Sequence, residues 1–317
     1  AVLVMKKTAD QKYTFDFIKT DNIVDFLSES NFQKFDSDYL KNGLWSFDNS
    51  EHAEIWKKMQ DGSILLSEYI GGQFYRGIVT GLNEAFIIDQ ITKDKIIKAN
   101  PVEAEIIKPY LKGRDAKRWI SETNLYILFT YHGIDIDKYP TVKGYLLKFK
   151  DKLLKRATSD NHRWYELQQP QTGIYKYYEG AKIISTDIAS KCEFTLDETG
   201  SYIDATIFCI PKDDLFLLAI LNSYLIEAFY RSISSTVRGD FLRFKKIYMD
   251  LIPIKIPNDK KPFIEIVDKI LAITKSSDYL ENPAKKEEVK VYERQIDQLV
   301  YKLYGLTSEE IQIIENS

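Results

Sequence analysis

Tyr75-Arg76-Gly77-Ile78-Val79-Thr80-Gly81-Leu82-Asn83-Glu84-Ala85-Phe86-Ile87-Ile88-Asp89 sets two runs rich in β-branched and aromatic residues, 74–79 and 85–89, around Thr80-Gly81-Leu82-Asn83. Side chains of that kind favour strands. The four residues between them read as a turn, with Gly81 free to take a positive φ. In many proteins such a turn simply closes a hairpin. Working outward, further strands are expected at 125–131, 182–187, 192–196 and 203–210, and helices at 93–99, 102–108, 141–156 and 213–232. The last of these is long and mostly apolar, as a core helix would be. Strands and helices do not alternate regularly. The expected fold class is therefore α+β, a mixed or antiparallel sheet with flanking helices, and not a doubly wound parallel sheet.

Either side of this region the pattern changes. Ile252-Pro253-Ile254-Lys255-Ile256-Pro257 predicts an extended stretch with few backbone donors. Helices follow at 262–275, 285–304 and 308–314. On the second, Tyr292, Ile296, Leu299, Val300 and Leu303 recur at helical spacing and must bury against the body or a partner. Upstream, Asn22 could cap a short helix through residue 28. Ser50 could cap another over 51–60, with Glu54 near the capping-box position. Residues 32–48, rich in Phe and Asp, resemble a connecting arm. This divides the chain into an arm (1–60), a central α+β domain (61–256) and C-terminal helices (257–317).

The 317 residues, 44% hydrophobic and 29% charged, have ordinary globular composition. No apolar run approaches the roughly 20 residues of a membrane span, and no membrane partner is expected. Residues 1–5 are too short for a signal peptide. The chain starts on Ala1, as a piece of a longer protein or a processed one would. Cys192 and Cys209 lie in apolar surroundings and read as buried, reduced thiols, which fits a cytoplasmic protein. The net charge of -3 argues against a non-specific nucleic-acid binder. Its distribution points the other way. Residues 61–256 carry 27 Lys and Arg against 25 Asp and Glu, and the flanks 17 against 22. Within the centre, 108–118 has five cations and one acid, 138–156 seven and one, and 231–246 five and one. Each cluster alone could be a solvated face; three in one region favour a polyanionic partner.

No Gly-rich loop stands between a strand and a helix to hold a nucleotide, and no Walker-type phosphate loop occurs. His52, His132 and His162 lack metal-ligand spacing, so no metal site is expected. No nucleophile elbow is present. Asp115-Ala116-Lys117, Asp259-Lys260-Lys261 and Glu288-Val289-Lys290 match the carboxylate-x-Lys triplets of metal-dependent nucleases. A chain so rich in charge contains such triplets by chance, and a nuclease needs further carboxylates around a metal.

Four segments in order carry a family resemblance: residues 75–89 as quoted; Ile107-Lys108-Pro109-Tyr110-Leu111-Lys112-Gly113-Arg114-Asp115-Ala116-Lys117-Arg118-Trp119; Arg163-Trp164-Tyr165-Glu166-Leu167; and Leu217-Leu218-Ala219-Ile220-Leu221-Asn222-Ser223 with Leu251-Ile252-Pro253-Ile254 downstream. From residue 62 onward the chain resembles the TaqI-like C-terminal specificity domain. That domain follows the catalytic domain in many bacterial adenine-N6 DNA methyltransferases, including fused type IIG restriction-modification enzymes. The tail, with Leu303-Tyr304-Gly305-Leu306-Thr307 and Glu309-Glu310-Ile311, looks like the end of such proteins. The resemblance implies that residues 61–256 form a target-recognition domain for double-stranded DNA. It also implies a covalently linked N-terminal methyltransferase domain, outside this chain, that would hold S-adenosylmethionine and a loop of the Asp/Asn/Ser-Pro-Pro-aromatic type. Here Asn100-Pro101 and Asn282-Pro283 lack the second Pro and the aromatic residue. No cofactor and no catalytic residue are expected in this chain.

Candidate contacts follow from residue chemistry. Lys112 and Arg114 flank a Gly-flexible loop with Lys117 and Arg118 just after, a set suited to phosphate. Asp115 could position Arg118. Lys148 and Lys152 on the basic helix 141–156, and Arg238 and Arg243 around Gly239-Asp240, are further backbone-contact candidates. Asn161, Arg163, Gln168, Gln169 and Gln171 lie in a polar run whose side chains can pair with base edges in the major groove. Trp164 reads as packing. Three other readings stay open at this point. They are a separate specificity module, an interaction module unrelated to DNA, and a nuclease. Separate specificity subunits join two recognition domains by long helices, and one domain is visible here.

Overall fold

In the computed structural model, residues 14–17, 33–36, 50–157, 159–237, 239 and 241–316 are described. The strand Lys182–Thr186 lies at the centre, buried over its first four residues. Alternate strand residues point to opposite faces. Ile183 accordingly enters one apolar core and Ile184 a second. A strand covered on both sides reads as an unbroken apolar run, as Ile183-Ile184 does. Its sheet runs Phe194–Asp197, Lys182–Thr186, Ile207–Ile210, Tyr75–Arg76, all antiparallel. A second four-stranded sheet runs Tyr202–Ile203, Ile107–Leu111, Leu125–Leu128, Ile87–Asp89, with its first pair parallel. The mixed and antiparallel sheets with flanking and C-terminal helices make the chain α+β, as expected.

The first core joins Trp56 of the helix Ser50–Gln60, the helices Leu215–Leu221 and Tyr224–Ile233, and the C-terminal helices Lys261–Thr274 and Pro283–Tyr304. The stripe on Pro283–Tyr304 buries against the chain's own body, with Ile296 and Val300 inaccessible. These C-terminal helices lie within a residue or two of the sequence reading because their ends are signalled. Asn282 accepts from Ala284 N–H, Gly305 takes φ 73, and Thr307 forms a capping box with Glu310. Of the N-terminal expectations, the helix ending at residue 28 lies outside the described residues. Within the expected arm, Gln33–Asp36 pairs with Thr14–Phe17.

Elsewhere the elements differ. Residues 74–79 and 85–89 do not form a hairpin with each other. Tyr75–Arg76 joins the first sheet, and Ile87–Asp89 the second after a helical turn, Asn83–Phe86. Gly81 does take φ 76. Residues 203–210 are not one strand but two, in different sheets. Between them Asp204 Oδ1 accepts from Thr206 N–H (2.9 Å) and Thr206 Oγ1 (2.8 Å), and this turns the chain. Residues 102–108 are a 3-10 segment, Pro101–Ile106, running into the strand Ile107–Leu111. Glu103, buried there, accepts from Thr141 N–H (2.7 Å) and starts the helix Pro140–Leu147, which breaks before Lys150–Leu153. The expected helix 213–232 bends by 59° at Asn222-Ser223. Asn222 donates to Phe194 O and accepts from Phe194 N–H, both at 2.9 Å, completing the edge of the first sheet. Ser223 caps the second helix. Apolar periodicity carries no trace of such side chain to backbone bonds.

Gly77 is where the two sheets meet. Its N–H donates to Ile207 O (3.0 Å), and Ile78 N–H donates to Ile203 O (2.8 Å). A Cβ there would stand 2.1 Å from Asp204 O and 2.4 Å from Ile203 O. Gly77→Ala is expected to cost about 3 kcal/mol in chemical denaturation, because the obstacle is backbone. The helix Pro283–Tyr304 docks through Asp297, whose Oδ1 accepts from Tyr224 N–H (2.7 Å). Burial pushes the Asp297 pKa from 3.8 up to about 6, against the Tyr224 amide and the Arg118 guanidinium, which pull it down. The folded chain then binds more protons than the unfolded one between those values, so this group makes stability fall as pH rises through that window. Asp297→Asn, which keeps an acceptor for the amide, is expected to flatten the slope in denaturation measured between about pH 4 and about pH 6.

Candidate nucleic-acid interface

Arg156, counted from sequence as part of a basic helix, is a buried brace. Its guanidinium donates to Leu153 O (3.0 Å), Thr80 O (3.0 Å) and Trp164 O (2.9 Å). It also lies 5.4 Å from the Phe86 ring. Burial lowers its pKa to about 10, opposed by Glu166, so it keeps its charge at neutral pH. Glu166, also buried, accepts from Gly133 N–H (2.8 Å) and Arg163 N–H (2.9 Å). Leu167 N–H donates to Thr130 O (2.9 Å), and Gln169 exchanges two backbone bonds with Val79 (2.8 and 3.1 Å). The His132 ring stacks on His162 at 5.7 Å. These contacts fix the backbone of residues 161–169 while leaving several side chains outside.

Asn161, Arg163 and Gln169 are exposed. The Arg163 guanidinium donates to Tyr165 Oη (2.7 Å), which holds it extended beside the loop. Gln168 is half-buried against the Thr80-Gly81 turn, where a Cβ on Gly81 would meet its Oε1 at 2.7 Å. Gln171 takes φ 59 and donates to Gly77 O (3.3 Å). Of the five residues read from sequence for base contact, three project outward and two are engaged within the protein. Trp164 packs its edge on Tyr165, with Lys150 Nζ 5.5 Å from its ring.

The cations divide into three groups. Around the turn at 204–206 stand Arg76, Arg114 and Arg243. Arg76 is exposed and its Nε donates to Ala205 O (2.7 Å). Gly113 packs on Thr206, a Cβ there falling 2.8 Å from Thr206 Oγ1, which places Arg114 alongside with its side chain 76% exposed. Asp187 N–H donates to Thr206 O (2.8 Å), and Arg243 Nε lies 4.0 Å from Asp187 Oδ1. Lys117 is exposed on the short strand Ala116–Lys117 nearby in sequence. The second group is gathered by a shallow depression lined by Glu84, Ile87, Asp89, Lys112 and Tyr145. Lys148 Nζ sits 5.3 Å from the Tyr145 ring, and Lys152 pairs with Glu84 (2.7 Å); both lysines are exposed. Arg118 stands apart. It is 17% exposed, pairs with Glu293 (2.5 Å) and donates to Asn222 O (2.7 Å), so it fastens the C-terminal helix. Asp115 turns away from it, accepting from Lys112 N–H (2.9 Å). Arg238 lies outside the described residues.

Sequence reasoning placed Arg76 in a motif but gave it no contact. Only the crossing of the chain at 204–206 brings it beside Arg114 and Arg243. The thiols offer no chemistry to this face: burial raises the pKa of Cys192 and pushes that of Cys209 up to about 12. Among the described residues no group of three or more His, Cys, Asp or Glu side chains is placed to hold a metal ion.

Comparison with known proteins gives this arrangement relatives. The chain is 28% identical over 275 residues to the type II methyltransferase M.MjaIV of Methanocaldococcus jannaschii, covering 81% of this chain and 88% of that protein. It is 22% identical over 290 residues to the type II methyltransferase M.BstVI of Geobacillus stearothermophilus, and 24% over 276 residues to M.PaeR7I of Pseudomonas aeruginosa. It spans 46% and 44% of those two proteins. The type IIL restriction-modification enzyme MmeI, solved in complex with DNA, shares the fold at a TM-score of 0.57 and 15% identity, over 77% of this chain and 35% of that one. The matched family region begins inside the second of the four motif segments and closes at Ile254, so the Tyr75 to Asp89 segment precedes it. Residues 108–254 of this chain match the family of the TaqI-like C-terminal specificity domain.

Proposed function

We propose that this chain reads the base sequence of double-stranded DNA as the specificity part of a restriction-modification methyltransferase acting on adenine N6. One observation carries the reading. Arg156 and Glu166 hold a loop backbone rigid while Asn161, Arg163 and Gln169 project from it. Such side chains can pair with base edges, and a fixed backbone gives those pairs a defined register. Arg76 and Arg114, beside the 204–206 turn, supply charge for phosphates, which position a protein on the duplex without reading sequence. The match to a specificity domain and the type II methyltransferase relatives support DNA recognition within a restriction-modification system. On this reading the catalytic domain and its S-adenosylmethionine lie outside the chain. The duplex would be gripped while the target adenine turns out of the stack into the catalytic domain. The protein would work in the cytoplasm, where cellular DNA is modified.

A second reading has an observation of its own. The chain spans 88% of M.MjaIV, so a polypeptide of nearly this extent carries a methyltransferase name by itself. A separate specificity module that assembles with a catalytic chain would fit that.

Selection of this chain against a random duplex library, at low salt and at two salt concentrations, tests the proposal. An enriched motif is the expected result. No binding at low salt, alone or with a methyltransferase domain joined upstream, would overturn it. With the selected duplex, Arg76→Ala and Arg114→Ala are expected to weaken binding to all sequences and to lower the salt slope by about 1 each. Arg163→Ala and Gln169→Ala are expected to relax preference at single positions, by about 1–3 kcal/mol each. Equal weakening on every sequence would move either residue to the phosphate-contacting class.

A further inference from the structure

We infer that the three-stranded sheet beside the 204–206 turn seats in the DNA minor groove, with Phe241 and Ile188 as an apolar wedge and Arg243 between them. This rests on the DNA-reading role proposed above and adds the mode of contact. The sheet consists of Ile188–Ala189, Phe241–Arg243 and Thr236–Val237, in that order. Its register pairs Ala189 with Leu242, and both side chains face the core at 6% and 0% exposure. The opposite face then carries Ile188 against Arg243 and Phe241 against Val237. An antiparallel sheet with one face on a core ordinarily shows polar residues on the other. Here Ile188 is 48% and Phe241 44% exposed.

The platform is stiff. Tyr230 Oη donates to Arg243 O (2.8 Å), the Tyr230 ring stacks on Phe244 at 4.8 Å, and Phe244 N–H donates to Asp187 O (2.9 Å). Asp187 also ties it to the 204–206 turn, beside which Arg76 and Arg114 stand, so the apolar face continues into a cationic border. That pairing of apolar side chains with arginine suits the minor groove, where readout is limited and wedges enter between base steps. The major groove rewards an array of donors and acceptors, and among its described residues this face offers a single guanidinium. Two inter-strand spacings make the platform about 10 Å wide, against about 6 Å for the groove. Seating it therefore opens the groove and bends the duplex away from the sheet.

The selected duplex, labelled at both ends for energy transfer and carrying 2-aminopurine at successive steps, provides the test. Binding of the unaltered chain should shorten the end-to-end distance and raise fluorescence at one step. Phe241→Ala should abolish the rise and weaken binding about tenfold, as loss of a stacked aromatic contact does. Phe241→Leu should retain part of both, and the melting temperatures should match because the side chain is exposed. A bend and a fluorescence rise unchanged in Phe241→Ala would overturn the inference. So would a selected duplex that stays straight and stacked, and in that case the sequence-reading role would survive. Failure to bind any duplex would remove both.

Discussion

Lys182 and Asp197 form an ion pair with both side chains at 0% exposure, across the first register position between the interior strand Lys182–Thr186 and the edge strand Phe194–Asp197. Neither charge is left short of partners. The ammonium also donates to Tyr178 O (2.6 Å), and the carboxylate accepts from Thr199 N–H (3.1 Å), Thr199 Oγ1 (2.6 Å) and Ser201 N–H (3.2 Å). A buried pair of this kind adds little net stability over apolar residues, but losing one partner costs about 3–5 kcal/mol. Its value here is register. A slip of one residue would expose the charges to the wrong neighbours and turn Ile183 and Ile184 into each other's cores. Both cores, and so both sheets, depend on that alignment.

The surface built on this frame separates two tasks. Backbone position comes from buried polar groups, above all Arg156 and Glu166, whose partners are main-chain carbonyls and amides. The proposed contact chemistry falls to side chains that make few internal bonds. The arginine rim follows the same rule. The turn at 204–206 is fixed by Asp204, which also accepts from Tyr110 Oη (2.9 Å), and the arginines reach past it from three separate segments. Nothing in the rim requires the cations to be near one another in sequence.

That explains what the sequence made legible. The C-terminal helices could be read because caps and apolar periodicity agree there. Their burial was legible too, since a stripe of Ile and Val must be covered. The chain's class as α+β followed from irregular alternation of short elements. The failures share one cause. Asn222, Asp204 and Glu103 each replace a regular backbone bond with a side-chain bond, and they broke a helix, split a strand and capped a distant helix. Arg118 looked like a surface cation, but its partner Glu293 is 175 positions further along the chain. Arg76 drew no contact from the sequence, because the fold that brings it to Arg114 depends on a strand crossing that no local pattern encodes.

The brace of Arg156 and Glu166 also bears on how such a protein can diversify. Its bonds end on main-chain atoms at Leu153, Thr80, Trp164, Gly133 and Arg163, so they do not draw on the side chains at 161, 163 and 169. Asn161, Arg163 and Gln169 can therefore be exchanged with little disturbance to the supporting architecture. Under the proposed DNA-reading role, new target preferences would become accessible through single substitutions at these exposed positions, without rebuilding the fold that carries them.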